Sequence, residues 1–170
     1  MSNPLQVNTL FVALVIAVAS IGTNAAIPTV PGMEADLDPN SGTGAQIVGI
    51  FAFGYAIGHL VLGLIADRTN QRLLLILFLA GFCMASLLPA TVDHQSAILW
   101  ARLLQGLFAS AGPVIGRSVI RASGDFDIAA RKMSSASAVF TWAPVIAPAL
   151  AGALASAYGW RSVYLFLAAY

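Results

Sequence analysis

The chain has 170 residues, 59% of them hydrophobic and 9% charged, with a net charge of +1 and a mean hydropathy of +0.85. A typical soluble domain carries roughly 25% charged residues. These values exclude a disordered chain, a disulfide scaffold, an ordinary soluble enzyme and a polyanion-binding surface, so no nucleic acid partner is expected. The single cysteine, Cys83, lies in an apolar block and reads as a small buried hydrophobe. No His, Cys and carboxylate cluster has metal-ligand spacing, and no nucleophile elbow, phosphate loop or dinucleotide fingerprint is present. The expectation is therefore a non-enzyme with no metal and no cofactor.

A helix needs about 20 apolar residues to cross a hydrocarbon core of about 30 Å. Residues 9–30 form the first such block, uncharged and ending at Pro28 and Pro31. The preceding residues, Met1 to Asn8, contain no Lys or Arg, and the run exceeds the usual core of a signal peptide, so a retained span is expected. Residues 45–66 follow, with His59 near mid-depth, and then the uncharged block 73–92. Residues 97–120 contain Arg102, with Arg117 near one end, and 133–157 are uncharged. A sixth block opens at Ser162 and reaches Tyr170, too short to cross as a helix. The expected fold is an all-α polytopic membrane protein: one domain, 1–170, with five transmembrane helices and the start of a sixth (162–170).

Basic residues set the orientation. The loops 67–72 and 117–132 carry Arg68, Arg72, Arg117, Arg121, Arg131 and Lys132, whereas 31–44, 93–96 and 158–161 together carry only Arg161. The basic side, and with it the N-terminus, is expected to be cytoplasmic. Short loops predict antiparallel neighbours along the chain. Gly54 and Gly58, Gly112 and Gly116, and the row Ala143, Ala147, Ala151 and Ala155 provide small faces for close helix contact.

Three polar features stand out. In the turn Gly63 to Arg72, Asp67 ends a helix, where an anion is disfavoured by the helix dipole. Either it is a latch that breaks and re-forms with a nearby Arg, or the segment is an ordinary basic turn. Arg102 lies inside an apolar block, where an Arg costs roughly 2.5–3.5 kcal/mol on insertion scales. Either it serves a polar inner face, as the neighbouring Gln105 favours, or it snorkels to the outer interface. In the stretch Trp142 to Gly152, Pro144 and Pro148 share a face and are expected to bend the helix.

These stretches resemble motifs of the major facilitator superfamily. Gly63, Ala66, Asp67, Arg68 and Arg72 match its signature loop G-x-L-A-D-R-x-G-R-R/K. Asn70 stands in the glycine position, which fits if it takes the left-handed backbone open to Asn. Gln71 replaces a basic residue and weakens the charge network. Ile98, Arg102, Gln105 and Gly106 look like its fourth-helix motif R-x-x-Q-G, and Trp142 to Gly152 is similar to its fifth-helix antiporter motif, with Ala147 and Ala151 in place of glycines. The variant A-P-x-x-A-P-x-x-x-G, the closing Gly159-Trp160-Arg161 and the stretch Arg117 to Arg121 are closest to the Bcr/CflA drug-resistance subfamily.

The resemblance implies the N-terminal six-helix half of a twelve-helix inner-membrane transporter, in which three-helix units repeat with inverted topology. It implies alternating access, with efflux of small organic molecules or drugs by proton antiport. Its partners would be the lipid bilayer, a small organic substrate, protons and a C-terminal six-helix half. Asn24, Arg102, Gln105 and Trp142 would border the substrate path. Gly63, Asp67, Arg68 and Arg72 would form the cytoplasmic gate, and Pro144, Pro148 and Gly152 the helix-bend motif. Asn24 stands where the subfamily has a titrating Asp, which leaves His59 as the candidate proton site: either it carries the proton or it packs as a neutral, hydrogen-bonded side chain. The length favours a truncated product. The alternatives are a membrane-embedded binding module that needs a separate partner, or a truncated product that does not transport.

Overall fold

The structure, a computed structural model, describes residues 9–37, 42–66, 68–121 and 126–170. Among these, α1 (Thr9–Asn24) leads through a 3-10 turn (Ile27–Thr29) into α2 (Val30–Leu37). Then come α3 (Thr43–Ile65), α4 (Gln71–Thr91), α5 (Gln95–Ala109), α6 (Ala111–Arg121), α7 (Phe126–Tyr158) and α8 (Arg161–Ala169). Among the described residues, five stretches are long and apolar enough to span a bilayer: Leu10–Leu37, Gln46–Ile65, Gln71–Thr91, Gln95–Arg121 and Ala129–Tyr158. With α8 as the beginning of a sixth, the expected number of spans is met.

Their limits differ from the expectation, each for a local reason. The first span does not stop at its prolines. Pro28 lies in the opening turn of the 3-10 segment and Pro31 in that of α2, where a missing N–H leaves no bond unmade, and the helix carries on to Leu37. The fourth block is interrupted at Ser110, whose hydroxyl donates to the Leu107 carbonyl at 2.6 Å. Pro113 follows three residues on and has no N–H to offer Ala109, so the chain restarts as α6. The fifth helix begins at Phe126, inside the connection expected over 117–132, and its 33 residues run unbroken through Pro144 and Pro148.

Register shows which helices run together. Gly54 faces Leu103 and Gly58 faces Leu107, so α3 and α5 are parallel. Val12, Ala13 and Ile16 cluster with Ala136, and Ala25 and Ala26 with Ala147 and Ala151, so α1 and α7 are parallel too. The sequential pair α4 and α5 is antiparallel, with Ser86 bonded to Gln105 and Phe78 edge-on to Phe108 at 5.5 Å. The most extensive packing is thus between helices that are not neighbours in the chain.

Small residues make this possible. A Cβ at Gly54 would overlap the Leu103 carbonyl, one at Gly106 the Phe51 carbonyl, and one at Gly112 the Val15 carbonyl. Ala143, Ala147 and Ala151 are buried and Ala155 half-buried, so the alanine row is a packing face. Without a hydrophobic drive between helices in lipid, such close contact is what holds a bundle together. α1 is its axis, with Val12, Ala13 and Val15 through Ala19 all buried.

Candidate functional site

The buried face of α5 consists of Ile98, Ala101, Arg102, Gln105, Gly106 and Ala109, spaced three and four apart. That spacing puts Arg102 and Gln105 one above the other, inside the bundle. Arg102 is fully buried and so does not snorkel to an interface. Its Nη1 donates to the Gly22 carbonyl of α1 at 3.1 Å and to Gln105 Oε1 at 2.5 Å, and its Nε donates to the Ile47 carbonyl of α3 at 3.4 Å. The guanidinium carbon lies 4.5 Å from the centre of the Phe51 ring, a cation–π contact. Gln105 Nε2 donates to Ser86 Oγ of α4 at 2.6 Å, and that hydroxyl donates to the Phe82 carbonyl at 2.7 Å. One side chain therefore ties together α1, α3 and α5, with α4 reached through Gln105. Its Nη2 has no hydrogen-bond partner among the described residues.

The other expected path residues are distributed differently. Asn24 is half-buried two residues beyond Gly22, and its amide donates to the Ser20 carbonyl at 2.7 Å. Trp142 is exposed on α7, in a cleft of about 390 Å³ bordered by Ile21, Ile146 and Leu150. His59 is half-buried; its Nδ1 pairs with the Tyr55 carbonyl one turn earlier at 3.0 Å, and its ring meets the Tyr55 ring edge-on at 4.3 Å. Of the helix-bend residues, Pro144 is exposed, while Pro148 and Gly152 are half-buried.

Of the gate motif, Asp67 lies outside the described residues, and Arg68 and Arg72 are exposed. Gly63 faces open space. Asn70 corrects the expectation of a left-handed backbone. Its φ is −63°, and its side chain instead caps α4, accepting from the N–H groups of Arg72 at 3.0 Å and Leu73 at 3.4 Å. Gln71 donates to Ser118 Oγ at 3.1 Å, so it links the turn to α6 where a basic residue was expected.

Sequence reading missed a second polar centre at the opposite end. Arg161 bridges Asp36 at 3.1 Å and also pairs with Asp93, and its guanidinium lies over the Trp160 ring at 4.2 Å. The buried Trp160 donates its indole N–H to the same Asp36 oxygen at 2.8 Å. This clasp joins the end of α2, the α4–α5 turn and the α7–α8 turn. The adjacent Trp160-Arg161 pair was visible; its two carboxylates, distant in the chain, were not. Because Asp36 and Asp93 face solvent, Arg161→Ala should lower the melting temperature only slightly, and the loss should shrink as salt is raised. Thermal unfolding in detergent at low and high salt measures both.

Residues 12–170 match the sequence model of the Major Facilitator Superfamily. The chain belongs to that superfamily. Among similar proteins, Multidrug resistance protein D of Escherichia coli (strain K12) is 26% identical over 158 residues, covering 93% of this chain and 40% of that protein. Multidrug resistance protein MdtL of Klebsiella pneumoniae is 30% identical over 115 residues, covering 68% of this chain and 29% of the relative. The Bicyclomycin resistance protein homolog of Haemophilus influenzae is 23% identical over 143 residues, covering 84% and 36%. The chain spans less than half the length of these curated relatives. It corresponds to the N-terminal half of a Bcr/CflA-type major facilitator and is a multi-pass integral membrane protein. In this major facilitator bundle, the fourth-helix motif forms the buried Arg102–Gln105–Ser86 hub, and the signature loop opens α4 through the Asn70 cap.

Proposed function

We propose that this bundle forms one wall of a multidrug exporter of the cell (inner) membrane that works by alternating access and proton antiport, with its N-terminus in the cytoplasm. The observation that carries this reading is the Arg102 hub, a charged group buried at the contact of α1, α3 and α5. A buried intramembrane charge is costly, and where it occurs it marks a transport or proton pathway. The resistance proteins among its relatives support small organic molecules or drugs as substrates. Asn24 and Trp142 border the path with Arg102 and Gln105; Gly63, Asp67, Arg68 and Arg72 gate it; Pro144, Pro148 and Gly152 allow the fifth helix to rock. With Asn24 unable to titrate, His59 carries the proton. The working transporter is completed by a C-terminal six-helix half.

The test joins residues 1–170 to the C-terminal half of Multidrug resistance protein D and follows dye movement in everted vesicles. We expect efflux that stops when the proton gradient is collapsed. Asp67→Asn should cut the rate at least tenfold, taken as about 1.4 kcal/mol or more of barrier, while insertion is unchanged; an unchanged rate removes the gate role. His59→Gln should abolish the dependence of rate on pH, and if that dependence persists, His59 is not the coupling group. Dye binding without movement would favour a binding module instead.

A further inference from the structure

Phe51, Tyr55 and His59 recur every fourth residue and so share one face of α3. Their rings form a ladder. Phe51 lies beside Tyr55 at 6.5 Å with the planes 14° apart, and Tyr55 meets His59 at 4.3 Å with the planes 66° apart. The foot of the ladder lies under the Arg102 guanidinium. The His59 ring is thus held at its side, and it is held again at one nitrogen, since Nδ1 is 3.0 Å from the Tyr55 carbonyl oxygen.

A carbonyl oxygen can only accept, so the hydrogen of this bond sits on Nδ1. The same oxygen takes the backbone N–H of His59 within the helix, which its two lone pairs allow. A neutral imidazole carries its hydrogen on one nitrogen and leaves the other bare. With Nδ1 the carrier, Nε2 is the bare one. The imidazolium has a hydrogen on both, so protonation leaves the Nδ1 bond in place. Among the described residues the carbonyl is the one partner of Nδ1. The helices around α3 supply no carboxylate beside it. α1 has no titratable residue from Thr9 to Asn24. α5 brings Arg102 to Phe51, and α6 brings Arg117 within electrostatic reach of Tyr55. Glu34 of α2 meets α3 at Gly44, about four turns before His59.

We propose that Tyr55, through its main-chain carbonyl, fixes His59 as the Nδ1–H tautomer, and that the exchanged proton enters and leaves at Nε2 alone. The step balances at one atom. The Nε2 lone pair takes a proton from hydronium, leaving water and an imidazolium, and returns it by the same atom; Nδ1–H is a spectator in both directions. This inference rests on the reading of His59 as the proton carrier and names the atom that does the carrying.

Solid-state NMR on the full chain in liposomes tests it, with 13C,15N-labelled histidine and His94→Asn, which leaves His59 the only histidine. Position 94 is the N-cap of α5, a place that asparagine suits. At a pH where the ring is neutral, the bare nitrogen should correlate with Cδ2, the carbon bonded to Nε2, and the protonated one with Cγ, the carbon bonded to Nδ1. On acidification the Nε2 signal alone should move to the protonated position. A bare nitrogen correlated with Cγ, or a neutral ring divided evenly between the two forms, overturns the proposal. If His94→Asn does not fold, subtracting the spectrum of His59→Gln from that of the parent chain isolates the same signals. The readout requires no transport. Efflux that keeps its pH dependence in His59→Gln removes the carrier reading and leaves the tautomer standing, whereas a bare Nδ1 removes the tautomer and leaves the carrier reading to the efflux test.

Discussion

Replacing Arg102 by alanine should lower the melting temperature of the detergent-purified bundle by roughly 6–12 °C, whereas methionine should recover half of the loss or more. Two effects compete at this position. The guanidinium is buried, with no partner for its Nη2 among the described residues, so removing it returns a desolvation cost. Against that, its loss strips a donor from Gln105 Oε1 and from the carbonyls of Gly22 and Ile47. Alanine also leaves a void the size of the missing chain, in contact with Phe51. Cavity and lost bonds together are worth about 3 kcal/mol. Methionine fills the void and buries no charge, so only the lost bonds remain. If alanine and methionine melt alike, hydrogen bonding rather than packing sets the cost. If alanine melts like the parent chain, the hub does not hold the helices together.

The five spans were legible because hydropathy is written locally, in runs of twenty residues. Their ends were not, because proline acts by position: harmless in an opening turn at Pro28 and Pro31, tolerated inside α7 at Pro144 and Pro148, and coincident with a break at Pro113. The spacing of Arg102 and Gln105 was legible as one face of a helix. Which way that face pointed was not, since burial depends on partners from other helices. Ser86 lies 19 residues away on an antiparallel neighbour, and nothing in its own surroundings announces a bond to Gln105. The same limit hid the clasp, whose carboxylates come from the end of α2 and from the α4–α5 turn. Asn70 was noticed for the glycine it replaces, but its role follows from the helix that begins after it.

The pairing of helices gives physical content to the inverted repeat. α1 opens the first three-helix unit and packs parallel to α7, the second span of the other unit. The fourth span, α5, opens the second unit and packs parallel to α3, the second span of the first. The third helix of the first unit, α4, and α8, the start of the third in the second, pack on each other. Each unit thus buries its first helix against the other unit's second, and the core clusters draw residues from both units. Gly54, Gly58 and the alanine row noted in the sequence lie at these exchanged contacts, while Gly112 and Gly116 meet α1 from α6.

Gly106→Val should be among the most damaging single substitutions in the bundle, with Gly54→Val close behind. At Gly106 the Phe51 carbonyl occupies the space a Cβ needs, and at Gly54 the Leu103 carbonyl does. These are backbone atoms of two helices in contact, so no side chain can swing aside to make room. The helices must separate, and the same interface carries the Arg102 bond to the Ile47 carbonyl and the Arg102–Phe51 contact. Overpacking costs about 1–3 kcal/mol when side chains alone adjust. Breaking the hub as well raises the expected loss above about 4 kcal/mol, the range reserved for named structural failures. Gly49→Ala is the control: it lies in the same helix with nothing within 4 Å of its Cβ position, and alanine there should be neutral or stabilising by up to about 1 kcal/mol. Thermal unfolding of the three variants decides the matter. A Gly106→Val bundle that melts with the Gly49→Ala control would mean that α3 and α5 do not meet backbone to backbone, and the register placing Arg102 at the centre of the bundle would fail with it.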